Sequence, residues 1–221
     1  MNFLQIVKRV HSETMRSTAA PATVADPNER HARIINRVAD AWRDLQAERD
    51  WRWMRATLDV ELTEGTQSYT GLDFSAADFG RWRLEDHTYA PFVYVTGYQN
   101  TLSPLAFRHL DAFRQSWVYR VVGQTRPLEW TYDEDNALLL GPIPMAGISL
   151  RIDYWKEPTE LVNDSDEPSM PSRFHMYLVW KALIDCGKDD AAPEIIDKAR
   201  ENLKAIRSRL MLDQARLPSL L

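Results

Sequence analysis

Leu138-Leu139-Leu140-Gly141-Pro142-Ile143-Pro144, then Ile148-Ser149-Leu150-Arg151-Ile152-Asp153-Tyr154, then Met170-Pro171-Ser172-Arg173-Phe174-His175-Met176: these three runs decide the fold. The first is a short apolar run stopped by Gly-Pro. The second alternates, with Ile148, Leu150, Ile152 and Tyr154 on one side and Ser149, Arg151 and Asp153 on the other, which is a half-buried strand. Lys156 to Ser169 is an acidic loop with two prolines. After Pro171 the period becomes helical: Phe174, Tyr177, Leu178, Lys181 and Ala182 share one face. Within this stretch the chain passes from sheet to helix.

Upstream, the sheet pattern continues. Leu128 to Tyr132 and Ala137 to Leu140 read as a hairpin across Asp133-Glu134-Asp135-Asn136. Ala56, Leu58, Val60 and Leu62 alternate with Thr57, Asp59 and Glu61, giving a strand. Glu64-Gly65 marks a turn, and Ser68-Tyr69-Thr70 is expected to return beside that strand. Another strand is expected within Trp82 to Val95, interrupted near Pro91. Ser103-Pro104 reads as cap plus proline, opening a short helix with Leu110, Phe113 and Trp117. Leu72 to Gly80 carries no clear period.

Both ends are helical. Asn2 caps a helix with Phe3, Ile6, Val7 and Val10 at helical spacing. After a small-residue loop, Ser17 to Ala25, Asp26 suits an N-cap, Pro27 the first helical position and Glu29 the third. The stripe Ile34, Ile35, Val38, Trp42, Leu45 then runs to about Arg49. Downstream, Gly187 fits a helix stop, and Asp189 or Asp190 caps a last helix with Pro193 in its first turn. Ile195, Ile196, Ala199, Leu203, Ile206 and Leu210 form its stripe, and Leu217-Pro218-Ser219-Leu220-Leu221 is a short apolar tail. Each amphipathic helix must bury one face. The expected class is therefore α+β: a discontinuous helical bundle drawn from both chain ends, with an inserted antiparallel β-rich domain. The expected segments are 1–50 (helices), 51–167 (insertion), 168–212 (helices) and 213–221 (tail).

With 221 residues, 44% of them hydrophobic, the chain can bury one large core or two small ones. The net charge is -5 and the pI about 5.6. A mildly acidic surface repels phosphate, which disfavours nucleic-acid grip as the main task. Cys186 is the single cysteine, so no intrachain disulfide forms. Met1 to Lys8 lacks the pattern of a secretory signal, and no run of about 18 apolar residues predicts a membrane span.

Sites of known chemistry are missing from the pattern. His11, His31, His87, His109 and His175 show no metal-ligand spacing. No glycine-rich phosphate loop occurs, so no nucleotide or other cofactor is expected. Asp164-Ser165-Asp166-Glu167 lacks the glycine and ligand pattern of a calcium loop. Cys186 lies near a predicted helix C-terminus, where the dipole disfavours a thiolate. Arg30, Arg33 and Arg37 form a basic stripe, read as a solvated helix face with Glu29–Arg33 pairing and acids following. Carboxylate pairs are plentiful, but nothing singles one out.

Three places carry a family resemblance: Val38-Ala39-Asp40-Ala41-Trp42-Arg43-Asp44-Leu45-Gln46 followed by Trp51-Arg52-Trp53-Met54; Ala137 to Pro144 leading to Tyr154-Trp155-Lys156-Glu157-Pro158; and Met170 to Met176. In this order and at this length the chain resembles the head-to-tail adaptors of tailed bacteriophages. The resemblance implies a non-enzymatic virion protein of the neck, assembled in the host cytoplasm. It implies a homo-oligomeric ring of roughly twelve subunits, closed by heterologous contacts. Its partners would be the portal protein and a tail or nozzle protein, with DNA passing through without sequence-specific binding. From the same resemblance, Leu217, Pro218, Leu220 and Leu221 are expected to dock on the portal. Trp51 and Trp53, apolar groups at an element end, are expected at an interface. Acids of Glu129 to Asp135 (Glu129, Asp133, Glu134, Asp135) and of Glu157 to Glu167 are expected to face the channel and keep DNA sliding. Two other readings stand beside this one: a virion-associated cell-wall hydrolase using two carboxylates, and a non-virion helical interaction module or assembly chaperone.

Overall fold

The computed structural model describes residues 1–14, 19–83, 90–120, 123–189 and 192–215. It divides into two units, Met1–Trp53 with Pro158–Leu221, and Met54–Glu157. The expected class, helices from both ends around a mostly antiparallel sheet insertion, is borne out.

The first unit holds helices α1 (Phe3–Thr14), α2 (Glu29–Glu48), α4 (Met176–Asp189) and α5 (Pro193–Gln214). Asn2 does cap α1. Its Oδ1 accepts from the Gln5 N–H at 2.9 Å, while Gln5 Oε1 accepts from the Asn2 N–H at 3.0 Å, a reciprocal capping box. The α2 start differs from expectation. Asn28 is the N-cap and Glu29 the first helical residue. Asp26 instead accepts from the Asn28 N–H at 2.9 Å and pairs with His31, so it shapes the turn before the helix. Helix α4 packs against α1, α2 and α5. That central place explains its apolar circumference: Tyr177, Leu178, Val179, Ala182, Leu183 and Cys186 are all buried.

Gly187 does not stop α4, which runs to Asp189. It is needed for proximity: a Cβ there would lie 2.7 Å from Ile196 Cγ1 of α5. Helix α5 begins at Pro193 after Ala192, which makes no side-chain cap; Asp190 lies outside the described residues. Of its expected stripe, only Ala199 and Leu210 are fully buried, because α5 rests on the bundle from one side.

The second unit packs two sheets on one core. The first sheet runs β1 (Arg55–Glu61), β9 (Ile148–Lys156), β4 (Phe92–Val95), β5 (Tyr98–Pro104), with β3 (Phe79–Trp82) also on β9. The second runs β2 (Ser68–Tyr69), β8 (Leu138–Gly141), β7 (Glu129–Tyr132), β6 (Ala106–Phe107). All pairs are antiparallel except β6 with β7. Trp82, Val93, Leu150 and Ile152 of the first sheet and Tyr69, Trp130, Leu138 and Leu140 of the second form the shared core.

Two pairings correct the sequence reading. β2 does not return beside β1; β1 pairs along its whole length with the distant β9, from Arg55↔Trp155 to Glu61↔Ser149, and β2 joins β8. Nor does Ser103-Pro104 open a helix. It ends β5, and the helix that follows is α3 (Leu110–Phe113), continued as a π-helix over Arg114–Val118. Pro104 is tolerated because an edge strand has a side that needs no donor.

Candidate functional site

The acids that sequence singled out are mostly occupied in holding the fold. Glu129 is half-buried on β7. It accepts from Arg108 on both carboxylate oxygens at 2.7 Å and from the Trp117 indole at 2.6 Å. This network straps the π-helix to the second sheet, with Trp117 lying on Gly141: a Cβ at Gly141 would meet the Trp117 ring at 2.6 Å and Phe113 at 2.9 Å. Asp133 Oδ1 accepts from the N–H groups of Asp135 and Ala137 at 3.0 and 2.9 Å, closing the β7–β8 turn. Glu134 pairs with Arg114 at 3.1 Å, and its own backbone N–H and that guanidinium hold its carboxyl below the usual range. Asp135 is exposed.

The acidic loop 157–167 follows the same logic in the helical unit. Asp164 Oδ1 accepts from the Val24 N–H at 2.6 Å and the Thr23 hydroxyl at 3.0 Å. Asp166 accepts from the Asn163 and Val162 N–H groups at 2.7 and 2.8 Å, which lowers its pKa. The loop carbonyls of Asp166 and Asp164 then accept from the first N–H groups of α1, Phe3 at 2.7 Å and Leu4 at 3.3 Å, donors that a helix start otherwise leaves unpaired. Gln46 of α2 grips the loop on two bonds, to the Thr159 N–H and carbonyl at 2.9 and 2.8 Å.

The Trp pair divides. Trp51 is fully buried, donates to the Leu45 carbonyl at 2.5 Å and stacks on Trp53 at 4.6 Å. The end of α5 meets this segment, with Gln214 Oε1 accepting from the Arg52 N–H at 3.1 Å. Trp53 stays partly exposed. Leu217, Pro218, Leu220 and Leu221 lie outside the described residues, as does His87.

Among the described residues no cluster of His, Cys, Asp or Glu is arranged to hold a metal, and no helix is long and apolar enough to cross a membrane. His175 is buried and bonds the Met170 carbonyl at 3.0 Å; His11 is buried against His31. Burial pushes both below the ordinary imidazole value.

The β unit also exposes apolar side chains. Phe92, Val95, Tyr98, Leu102, Val118, Tyr119, Leu128 and Met145 are all exposed there, against Val162 and Leu212 in the helical unit. Sequence reasoning missed the β4–β5 part of this surface. Its signal was available: Phe92 to Pro104 contains no charged residue in a chain that is 27% charged. Compared with known proteins, the chain matches the family model described as SU10 adaptor protein over residues 1–218. No curated protein matches it.

Proposed function

We infer, for a chain that belongs to the SU10 adaptor protein family, that it is a structural part of a tailed-phage neck: a ring beneath the portal that continues the DNA channel and docks the tail or nozzle. The single observation that carries this is the family match, which spans both helical ends and the insertion between them. The internal use of Glu129, Asp133, Asp164 and Asp166 supports a structural rather than catalytic role, since a carboxylate saturated by fold-holding donors is a poor acid or base.

Within this reading the ring holds roughly twelve copies, each presenting one face to a different face of its neighbour. The tail Leu217, Pro218, Leu220 and Leu221 docks on the portal, and Trp53, the less buried member of its stacked pair, lies near an interface. Asp135 and Glu134 are the acids of the β7–β8 turn best placed by exposure to face passing DNA, where like charge prevents sticking. Immunogold electron microscopy of purified particles tests the reading. Label at the head–tail junction is expected; a chain present in infected cells but missing from mature particles would overturn it.

A further inference from the structure

The first sheet ends, among the described residues, in two long strands that each have one unpaired side, β1 and β5, of seven residues apiece. The second sheet ends in β2 and β6, only two residues each. Short edges are harmless, whereas long ones are templates for further pairing that soluble proteins block with charge, bulges or covering elements.

Neither long edge is heavily defended by charge. The hairpin Phe92 to Pro104 has no charged residue at all. On β1 two of the three charges are engaged within the sheet: Arg55 pairs with Asp153 at 2.5 Å, and Asp59 with Arg151 at 2.5 Å and with the Tyr94 hydroxyl, while Glu61 at the strand end is exposed. Burial opposes it, yet the Tyr94 and Arg151 contacts hold the Asp59 carboxyl below its ordinary range, so it stays ionised and paired. Both edges also have outward hydrogen-bonding groups to offer. Leu62 N–H turns inward to the Ile148 carbonyl, so ladder alternation leaves the backbone groups of Thr57, Asp59 and Glu61 on the outer side of β1. Leu105 N–H turns inward to the Pro91 carbonyl, which puts those of Leu102 outward on β5. Pro104, also outward, has no N–H to lose.

The strand directions match. From β1 through β9 and β4 to β5 every step is antiparallel, so β1 and β5 run in opposite directions. A second copy set beside the first, head to tail, would place its β1 against this β5 in antiparallel register. Pairing β5 with β5 would satisfy one edge and leave both β1 edges open. The heterologous junction uses both edges of every copy through one repeated contact, and it continues until a ring closes and no edge remains.

We propose that β5 (Tyr98–Pro104) of one copy pairs with β1 (Arg55–Glu61) of the next, making the first sheet continuous across the subunit junction. This rests on the ring reading above and supplies its contact. Leu102, exposed at the centre of β5, is the anchor residue.

The test is cysteine cross-linking in purified particles carrying full-length chain with Leu102→Cys combined in turn with Thr57→Cys, Asp59→Cys or Glu61→Cys. Cys186 is buried and serves as background. At least one pair should give, on oxidation, a ladder of dimer, trimer and higher species, and Leu102→Cys alone should not. Dimer from the single variant means β5 meets β5 and overturns the proposal. Particles that contain the chain at the junction but give no ladder with any pair overturn it too, leaving the adaptor reading intact. A chain missing from wild-type particles overturns that reading and the junction with it. Leu102→Pro removes an outward N–H without touching the β4–β5 ladder. It should leave the circular dichroism spectrum and Tm near wild type while cutting incorporation into particles at least tenfold. If this variant misfolds, Leu102→Lys serves in its place, and full incorporation of a folded Leu102→Lys chain would overturn the proposal.

Discussion

Gly141 and His175 show how much single positions carry. A Cβ at Gly141 would run into one indole and one phenyl ring, so Gly141→Ala forces Trp117 or Phe113 to move. A loss of about 1–3 kcal/mol is expected, the usual cost of overpacking, read as a lower midpoint in urea with unchanged slope. His175 and His11 are held neutral by burial, and their folded pKa lies below the ordinary 6.5. The unfolded chain therefore binds more protons in the interval between the two values. Their contribution is whole above about pH 6.5 and is lost as pH falls through the lower folded value, by at most about 1.4 kcal/mol per pH unit per histidine. Thermal melts between pH 7.5 and 5 should show Tm falling with acid, and His175→Asn should flatten the dependence.

At the scale of the element, the loop 158–167 is held by its partners more than by its own conformation. Gln46 contributes two hydrogen bonds to Thr159 from a buried position. Gln46→Leu leaves the Thr159 N–H without its side-chain acceptor, while the Thr159 carbonyl keeps the Trp42 indole N–H at 2.7 Å; it should cost about 0.5–1.5 kcal/mol, with faster hydrogen exchange at Thr159 and at the first turn of α1. Slow exchange at both places would show that the loop does not depend on the clamp. The segment 49–53 is similarly pinned between α2 and the end of α5. Trp51→Ala should remove about 3–5 kcal/mol, the scale of a buried large aromatic, in a chemical denaturation series. The sequence marked both elements without revealing their partners. Gln46 and Thr159 are far apart along the chain, and no local pattern pairs them.

For the whole molecule, the β unit enters through β1 and leaves through β9, and these two strands lie side by side with Arg55 opposite Trp155. Its ends are therefore adjacent, and its core is drawn from its own two sheets. Met54–Glu157 expressed alone is expected to unfold cooperatively on heating, as an insertion with joined ends should; a broad, non-cooperative melt would show that it needs the helices. Deleting Leu217 to Leu221 is expected to weaken binding to the portal protein by at least tenfold while leaving Tm unchanged, measured with purified components. Equal binding would remove the tail from the docking surface.

The sequence by itself determined the periods and therefore the class. Alternation at Ile148 to Tyr154 and helical spacing at Ile34 to Leu45 and Phe174 to Ala182 depend only on which faces must leave water, a local and one-dimensional property. The same holds for the Asn2 cap and, through ordered motifs, for membership of the adaptor family. Tertiary structure decided what local pattern cannot encode. It paired β1 with β9 across some ninety intervening residues instead of with β2. It set Gly187 inside a helix because Ile196 needs the space, and ended a strand at Pro104 because the outer side of β5 requires no donor. It also gave Asp164 the backbone N–H of Val24, brought in from the other end of the chain. For the β1–β9 pairing and the Asp164 bond the deciding partner is remote in the chain, and only folding brings it within hydrogen-bond reach.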